Sequence, residues 1–222
     1  HVSNMYYDAS GNQTRDPRLY LNVLTNGTTW LKEKVETFDG GKNKILDGST
    51  KTGYYLRKWM NPSVSLDPVK PNKIEHHYIL FRYAEILLNY AEAMNEWKGP
   101  DATAEGCPIT ARAALNQVRT SATMDAVVAA GQTDFREKVR NERRIELAFE
   151  GHRLYDIRRW KIAEDDEVRN LYGVKIKKSG DDSFSFERVL IQKMYWANKM
   201  YLFPYPQNEL YMNENLVQNP EW

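Results

Sequence analysis

The stretch that decides the fold is YILFRYAEILLNYAEAMNEW, from Tyr78 to Trp97. Its apolar side chains recur at steps of three and four residues, which is the spacing of one face of an α-helix. The pattern therefore predicts an amphipathic helix across the whole stretch. The predicted apolar stripe consists of Leu80, Tyr83, Ala84, Leu87, Tyr90, Ala91 and Met94.

A second helix is predicted directly after the first. Gly99 and Pro100 end the first helix, because neither residue favours its continuation. Pro108 and Thr110 then open the stretch ITARAALNQVRTSA at residues 109–122. Two such helices form an αα-hairpin, and their small side chains allow the close packing that is typical of helical repeats. The apolar side of the second helix consists of Ala111, Ala114, Leu115 and Val118.

A third, highly charged helical stretch is RNERRIELAFEGHRLYDIRRW, from Arg140 to Trp160. We expect this helix to begin near Thr133 or Asp134 with a capping side chain, to break at Gly151 and to continue as a shorter helix. Residues three apart face each other on a helix, so the charges predict local ion pairs in a structural lock between buried helices. The expected pairs are Arg143–Glu146, Glu150–Arg153, Arg153–Asp156 and Asp156–Arg159.

The chain divides by composition into residues 1–74 and residues 75–222. The first region is rich in turn-forming residues, carries scattered aromatic side chains and is predicted to be mostly irregular. In the second, alternation around the turn SGDD predicts a β-hairpin from Val174 to Ile191, and the proline-containing C-terminal end predicts an extended arm over the helices. The predicted fold class is mainly α, with long irregular loops and a small β-hairpin.

Composition and charge exclude several classes of partner. The 31 basic and 30 acidic side chains leave a net charge of +1, which gives no attraction to nucleic acid or to an acidic membrane surface. The sequence also has no run near the roughly 20 apolar residues that a membrane-spanning helix requires. We therefore expect no nucleic-acid partner and no membrane-spanning segment within these residues.

The sequence offers no catalytic constellation and no metal site. Adjacent side chains such as His76 and His77 point apart, and no third ligand has suitable spacing. The carboxylates of residues 142–156 lie among arginines, which lower carboxyl pKa values when a general acid needs a raised one. Cys107 has no histidine or asparagine nearby in sequence. We therefore expect a non-enzyme without a cofactor or metal ion.

Six motifs, in order along the chain, resemble those of the SusD/RagB family. They are DPRLYLNVLTNG (16–27), TGYYLRKWM (52–60), FRYAEILLNYAEAMNE (81–96), AALNQVRTSA (113–122), VRNERRIELAFEGHRLYDIRRW (139–160) and YLFPYPQNELYMNENLVQNPEW (201–222). The resemblance implies a helical fold built on tetratricopeptide-like hairpins, with long loops that bind the ligand. It matches the C-terminal part of the family's chain, so we expect the N-terminal half and its lipidated cysteine to lie outside this sequence.

The same resemblance implies a function. Members of the family are surface lipoproteins of the outer membrane of Bacteroidetes-type bacteria. They bind oligosaccharides or polysaccharides, less often peptides, and deliver them to a SusC-like TonB-dependent transporter. A RagB-like peptide receptor, a protein-interaction scaffold without a small ligand and a glycan-cleaving enzyme are the alternatives. We expect the polar face of the first helix, with Glu85 and Glu92, to serve the transporter.

Candidate ligand-binding residues lie in the loop-rich first region. Sugar rings present apolar C–H faces and hydroxyl groups, so a glycan site needs exposed aromatic side chains beside polar ones. Loops on a rigid scaffold commonly carry binding residues. An aromatic side chain in a loop can equally pin that loop to the core, and the sequence leaves both roles open. The candidates are Trp30, Tyr54, Tyr55, Arg57 and Trp59.

Overall fold

The predicted helical hairpin is formed by α2 (Tyr83–Lys98) and α3 (Ala111–Ser121) of the chain. The computed structural model describes residues 5–8, 10, 12–46, 49–65, 67–180 and 183–222. Alanines on both helices are buried, so the two axes approach closely, as the sequence pattern predicts. Together with α4, the hairpin encloses the main core. Its buried residues are Leu87, Leu88, Ala91, Met94, Ala111, Ala114, Leu115, Val118, Val127, Phe135, Val139 and Leu147.

The two ends of the hairpin's connection follow the sequence signals. Gly99 has a φ of 87° at the end of α2, a conformation that glycine adopts without strain. The Thr110 Oγ1 atom accepts a hydrogen bond of 3.0 Å from the amide of Ala113, which caps the start of α3. Both boundaries therefore have a local chemical cause.

Helix α2 begins five residues later than its apolar pattern predicts. The backbone is extended at Arg82, because the Arg82 guanidinium reaches across to the Glu146 and Glu150 carboxylates. Leu80 and Tyr83, which the pattern assigns to the buried stripe, are exposed. The prediction of a helix across residues 78–82 is therefore wrong.

Glu85 and Glu92 do not form a free polar face on α2. Glu85 is only 9% exposed, and Glu92 accepts hydrogen bonds from Arg159 and from the Trp160 indole. Glu85 also lies 3.8 Å from His152, so both carboxylates are engaged within the chain and the expectation that they lie together on an exposed polar face is wrong. The exposed positions of α2 include instead the large apolar side chains Tyr83, Ile86 and Trp97.

Helix α4 (Gln132–Glu146) packs Phe135 and Val139 into the core. It begins one residue before the predicted start and has no side-chain N-cap. Instead, the Asp134 carboxylate in its first turn accepts a hydrogen bond of 3.0 Å from the Ala130 amide. Helix α4 ends at Glu146, before the predicted break at Gly151. The chain then turns at Phe149, where φ is 64°, and α5 (Arg153–Arg159) follows.

Short β-elements hold the loop-rich first region. After α1 (Pro17–Asn22), β1 (Val23–Leu24) pairs with β4 (Tyr55–Leu56), and β2 (Thr29–Trp30) pairs with β3 (Glu33–Lys34), both antiparallel. The pairing of β1 with β4 fixes the chain just before the candidate residues Arg57 and Trp59. The first region thus contributes anchored loops, as predicted, with short regular pieces that the sequence does not resolve.

The predicted β-hairpin is present and longer than expected. After the short helix α6 (Asp166–Arg169), β5 (Asn170–Lys178) pairs antiparallel with β6 (Phe184–Lys193). The register shifts between Leu171 and Tyr172, which marks a bulge. Two residues of the predicted SGDD turn, at positions 181 and 182, lie outside the described residues.

The C-terminal arm lies against α5, partly as predicted. Arg158 of α5 sits between the rings of Trp196 and Phe203, and its Nε donates a hydrogen bond of 3.1 Å to the Met200 carbonyl. The arm is not extended throughout, because it contains a 3₁₀ turn (Asn198–Tyr201) and the helix α7 (Gln207–Met212). The described chain is therefore mainly helical, with three small two-stranded sheets.

Candidate ligand-binding site

A buried ion network holds the first region on the helices. Arg18 of α1 donates to Glu142 at 2.6 Å and to Glu146 at 2.7 Å, both on α4. Arg119 of α3 donates to the second oxygen of Glu142 at 2.6 Å. The side chain of Glu142 is 2% exposed, so these hydrogen bonds compensate for the cost of burying its charge.

A second branch of the network anchors the segment that carries Trp59. Lys58 donates to Glu150 at 2.6 Å and to the Ala148 carbonyl at 2.9 Å. Arg82 donates to the other oxygen of Glu150 at 2.8 Å. Burial alone would raise the pKa of Glu150, but the hydrogen bonds from Arg82 and Lys58 outweigh burial and lower that pKa below its ordinary value.

The charged stretch acts as an ionic lock, as predicted, but mostly with different partners. Asp156 accepts a hydrogen bond from Arg159 at 2.9 Å, which is one of the four local pairs expected. The pairs Arg143–Glu146 and Glu150–Arg153 are wrong, because Arg143 donates to Asp156 and the carboxylates of Glu146 and Glu150 are taken by arginines and a lysine from distant segments. Arg153 is close enough to Asp156 for that charge to oppose the lowering of the Arg153 pKa by burial. Tertiary contacts therefore override the helical spacing.

Trp59 forms an open aromatic platform. Its indole Nε1 donates a hydrogen bond of 3.1 Å to the Phe149 carbonyl, which fixes the ring. The ring stacks on Tyr78 with centroids 5.8 Å apart and an interplanar angle of 22°. Tyr78 is 68% exposed, and Trp59 lines a groove of about 540 Å³ together with polar residues that include Asn61, Lys73 and His76.

The backbone at Trp59 is strained. Its φ is 71°, in the left-handed region that non-glycine residues rarely adopt. Such conformations cost on the order of 1–3 kcal/mol and cluster at functional sites, where the surrounding structure enforces them. The amides of Arg57 and Lys58, both bonded to the Asn22 carbonyl, and the indole bond to Phe149 hold this segment in place.

Trp30 and Arg57 form a second contact group. The Arg57 guanidinium lies 5.8 Å from the Trp30 ring centroid, and its Nη1 atom donates a hydrogen bond of 2.5 Å to the Tyr20 carbonyl. Trp30 is half-buried at the end of β2, directly before a turn in which Leu31 and Lys32 both have positive φ values. The structure thus brings two of the five candidate residues together.

Tyr54 and Tyr55 have different environments because side chains alternate along an extended strand. The Tyr55 hydroxyl donates to the Asn43 carbonyl at 3.2 Å, so this ring pins a neighbouring loop. Tyr54 lines a separate cleft of about 350 Å³ beside the β-hairpin. The five candidates therefore belong to separate contact groups, with Trp30 on β2 and the other four in or next to β4, rather than to a single constellation.

The structure adds aromatic residues that the sequence reasoning missed. Tyr78 was assigned to a helix by its apolar spacing, yet it stacks on Trp59. Arg188 belongs to the predicted β-hairpin (174–191), whereas Tyr172 lies two residues before its predicted start. Their contact requires the register of the two strands, which the sequence pattern does not provide.

The described residues contain neither a membrane-spanning helix nor a metal-binding cluster. Across the part of the chain that the structure describes, no helix has the length and apolarity needed to cross a membrane. Within the same residues, no group of three or more His, Cys, Asp or Glu side chains is arranged to hold a metal ion.

Comparisons with known proteins agree with the fold. SusD-like protein P2 of Formosa agariphila is 34% identical over 151 residues, which are 64% of this chain and 25% of that protein. SusD-like protein P25 of the same organism is 35% identical over 117 residues, or 50% of this chain and 20% of that protein. The chain thus spans a quarter or less of the curated relatives that it matches.

Solved structures show the same architecture. A SusD-like protein of Bacteroides fragilis has a TM-score of 0.73 and 32% identity, with coverage of 96% of this chain and 40% of that chain. A SusD-like carbohydrate binding protein of the same species has a TM-score of 0.66 and 29% identity, with coverage of 98% and 44%. The SusD family model matches residues 3–222. Because that match spans almost the entire sequence, the chain belongs to the SusD family.

Proposed function

We propose that this chain is the ligand-binding part of a surface receptor for oligosaccharides. The observation that carries the proposal is the stacked pair of Trp59 and Tyr78 beside a mainly apolar groove that carries a few polar side chains. An exposed aromatic surface fits the apolar C–H face of a sugar ring, while the amide and amine groups of Asn61 and Lys73 suit its hydroxyls. Membership of the SusD family supports the proposal, as does the carbohydrate-binding description of a similar solved protein.

A binding role without catalysis fits the environments of Glu150 and Glu92. Glycoside hydrolysis needs two carboxyl groups about 5–10 Å apart across a cleft, one of them with a raised pKa. Arg82 and Lys58 lower the pKa of Glu150, and Arg159 and Trp160 lower that of Glu92 against the effect of burial. These carboxylates are occupied by the ion network and are poor general acids.

The cellular context is a further part of the proposal. We place the receptor at the surface of the outer membrane of a Bacteroidetes-type bacterium, attached by a lipid anchor outside these residues. It delivers its ligand to a SusC-like TonB-dependent transporter. Both statements rest on family membership, and genetic deletion of the neighbouring transporter gene should abolish uptake of the bound glycan.

Calorimetric titration with a panel of oligosaccharides tests the binding role. We expect the parent chain to bind at least one oligosaccharide, and Trp59→Ala and Tyr78→Ala to weaken that binding by about tenfold or more, as loss of a central aromatic anchor does. Tyr78→Ala removes one side of the platform without touching the indole hydrogen bond to Phe149, so it guards against misfolding of the tryptophan variant.

The matched control is Trp97→Ala. Trp97 is 61% exposed on α2 and lies outside the groove, so its removal should leave oligosaccharide binding unchanged. Loss of binding in all three variants would point to a general defect. Binding of peptides but of no oligosaccharide would favour the RagB-like alternative, and the absence of any small ligand would favour an interaction scaffold.

A further inference from the structure

A close crossing of two backbones builds the cleft beside Tyr54. The Val174 amide donates a hydrogen bond of 2.8 Å to the Thr52 carbonyl, so β5 lies directly against the loop before β4. A Cβ atom on Gly53 would lie 2.6 Å from the Val174 carbonyl oxygen, and one on Gly173 would lie 2.8 Å from the Thr52 Cα. Only glycine permits this approach, which brings Tyr54 beside the β-hairpin.

The β-hairpin presents a guanidinium at the wall of this cleft. Val174 pairs with Arg188 across the hairpin, and the bulge precedes this pair, between Leu171 and Tyr172. Arg188 and Tyr172 are therefore diagonal neighbours on one face. The Arg188 Cζ atom lies 3.5 Å from the centroid of the Tyr172 ring, which holds the guanidinium plane against the ring.

Arg188 keeps hydrogen-bond donors for a ligand. In the described part of the chain, its Nη2 atom donates to Glu167 at 2.9 Å, and its Nε and Nη1 atoms are not used. The side chain is 60% exposed, so these N–H groups are open to solvent. A stacked guanidinium with a free edge is well suited to a planar or tetrahedral anion, since its donors form a rigid fork.

Aromatic side chains line the cleft beside Arg188. Tyr6 is 1% exposed and meets the Phe186 ring edge-on, with centroids 5.6 Å apart. It donates its hydroxyl hydrogen to the Tyr54 oxygen at 3.1 Å, which leaves the Tyr54 hydroxyl hydrogen to point elsewhere. Burial raises the pKa of Tyr6, so this phenol stays neutral. Tyr54, Tyr172 and Phe186 line a cleft of about 350 Å³ together with Arg188.

We propose that this cleft binds an acidic sugar residue, a uronate or a sulfate ester, through the free edge of Arg188, with the sugar ring against Tyr54. The proposal rests on the proposed oligosaccharide-binding function and specifies its ligand class. Arg15 donates to the carbonyl of Met5 at 3.0 Å, which adds a second positive charge near the rim of the cleft. Tyr54 and Trp59 are five positions apart, so their Cα atoms lie at most about 18 Å from each other, a distance that one oligosaccharide can bridge between the cleft and the Trp59 platform.

The test compares oligosaccharides that differ only in charge. The probes are an oligogalacturonate with its methyl ester, and a sulfated galactan oligosaccharide with its desulfated form. We expect the parent chain to bind an acidic member about tenfold or more tightly than its neutral counterpart, as a charge-assisted hydrogen bond implies. Arg188→Gln should remove that difference, while Arg169→Gln, in the neighbouring helix α6 and paired with Asp166, should retain it.

The possible outcomes separate the two proposals. If neutral and acidic members bind equally, or if Arg188→Gln keeps the preference, the acidic-sugar site is overturned. In that case, loss of binding in Trp59→Ala would leave the general oligosaccharide function intact. If no oligosaccharide binds the parent chain, both proposals are overturned.

Discussion

Arg143 and Asp156 form a buried ion pair between α4 and α5. Nε of the arginine lies 2.8 Å from Oδ2 of the carboxylate, and the two side chains are 6% and 4% exposed. The Arg143 Nη1 atom also donates to Asn89 of α2 at 2.7 Å. A single guanidinium therefore connects three helices, and this connection fixes the turn at residues 147–152 that supports Trp59.

Loss of that guanidinium should strongly destabilise the chain. Arg143→Ala leaves the Asp156 carboxylate with Arg159 as its remaining partner, and breaking a buried pair costs about 3–5 kcal/mol. We expect the thermal midpoint to fall by on the order of 10 °C, measured by circular dichroism. Arg144→Ala is the control, because Arg144 is exposed. Equal midpoints for parent and Arg143→Ala would mean that the pair contributes nothing.

The ion network should make stability sensitive to acid. The pKa of Glu150 is lowered in the folded chain, so its stabilising effect is fully present above the ordinary carboxyl pKa of about 4.3 and is lost as pH falls through the folded value. We expect Glu150→Gln to be less stable than the parent at pH 7 and the difference to shrink below about pH 4. Urea titrations at pH 7 and below about pH 4 measure this difference in the free energy of unfolding. A difference that stays constant with pH would contradict the ion-pair account.

Tyr55 should support structure rather than ligand binding. Tyr55→Phe removes the hydroxyl that donates to the Asn43 carbonyl and keeps the ring. We expect a loss of about 1 kcal/mol in the free energy of unfolding and no change in oligosaccharide affinity. Calorimetric titration of the variant against the parent checks this. A large drop in affinity with unchanged stability would show that Tyr55 takes part in ligand binding.

The glycine crossing should tolerate no side chain. Gly53→Ala places a methyl group against the Val174 carbonyl at a φ of +80°. We expect destabilisation of about 1–3 kcal/mol and weaker binding of acidic oligosaccharides, because the β-hairpin must move away from Tyr54. Gly131→Ala is the matched control, since a Cβ atom there meets nothing within 4 Å. If both variants match the parent in stability and in affinity for acidic oligosaccharides, the two backbones at the crossing can move apart at little cost.

The core of the fold can be read from the sequence because its signals are local. Helical spacing places Leu87, Ala91 and Met94 correctly, and the Thr110 cap and Gly99 mark the connection. The start of α2 cannot be read in this way. Its cause is the extended backbone at Arg82, whose side chain reaches carboxylates more than 60 residues away along the chain.

The candidate site was predictable only as a region. Alternation separates Tyr54 from Tyr55, but a strand of two residues gives no pattern that tells which one faces the cleft. The stacking of Tyr78 on Trp59 joins two segments that share no motif. Likewise, the partners of Glu150 come from residues 58 and 82, beyond the reach of any helical spacing rule.

The contact between Arg18 and Glu142 joins residues that are 124 positions apart. The entropy of closing so long a loop is lost before the contact can stabilise the chain. We therefore expect the α2–α3 hairpin to form early during folding and the Arg18–Glu142 contact to form late. A contact that forms after the transition state slows unfolding and hardly affects the folding rate. Arg18→Gln should therefore unfold faster in stopped-flow measurements and refold at the parent rate. In kinetic terms, the docked arginine determines how long the folded chain lasts.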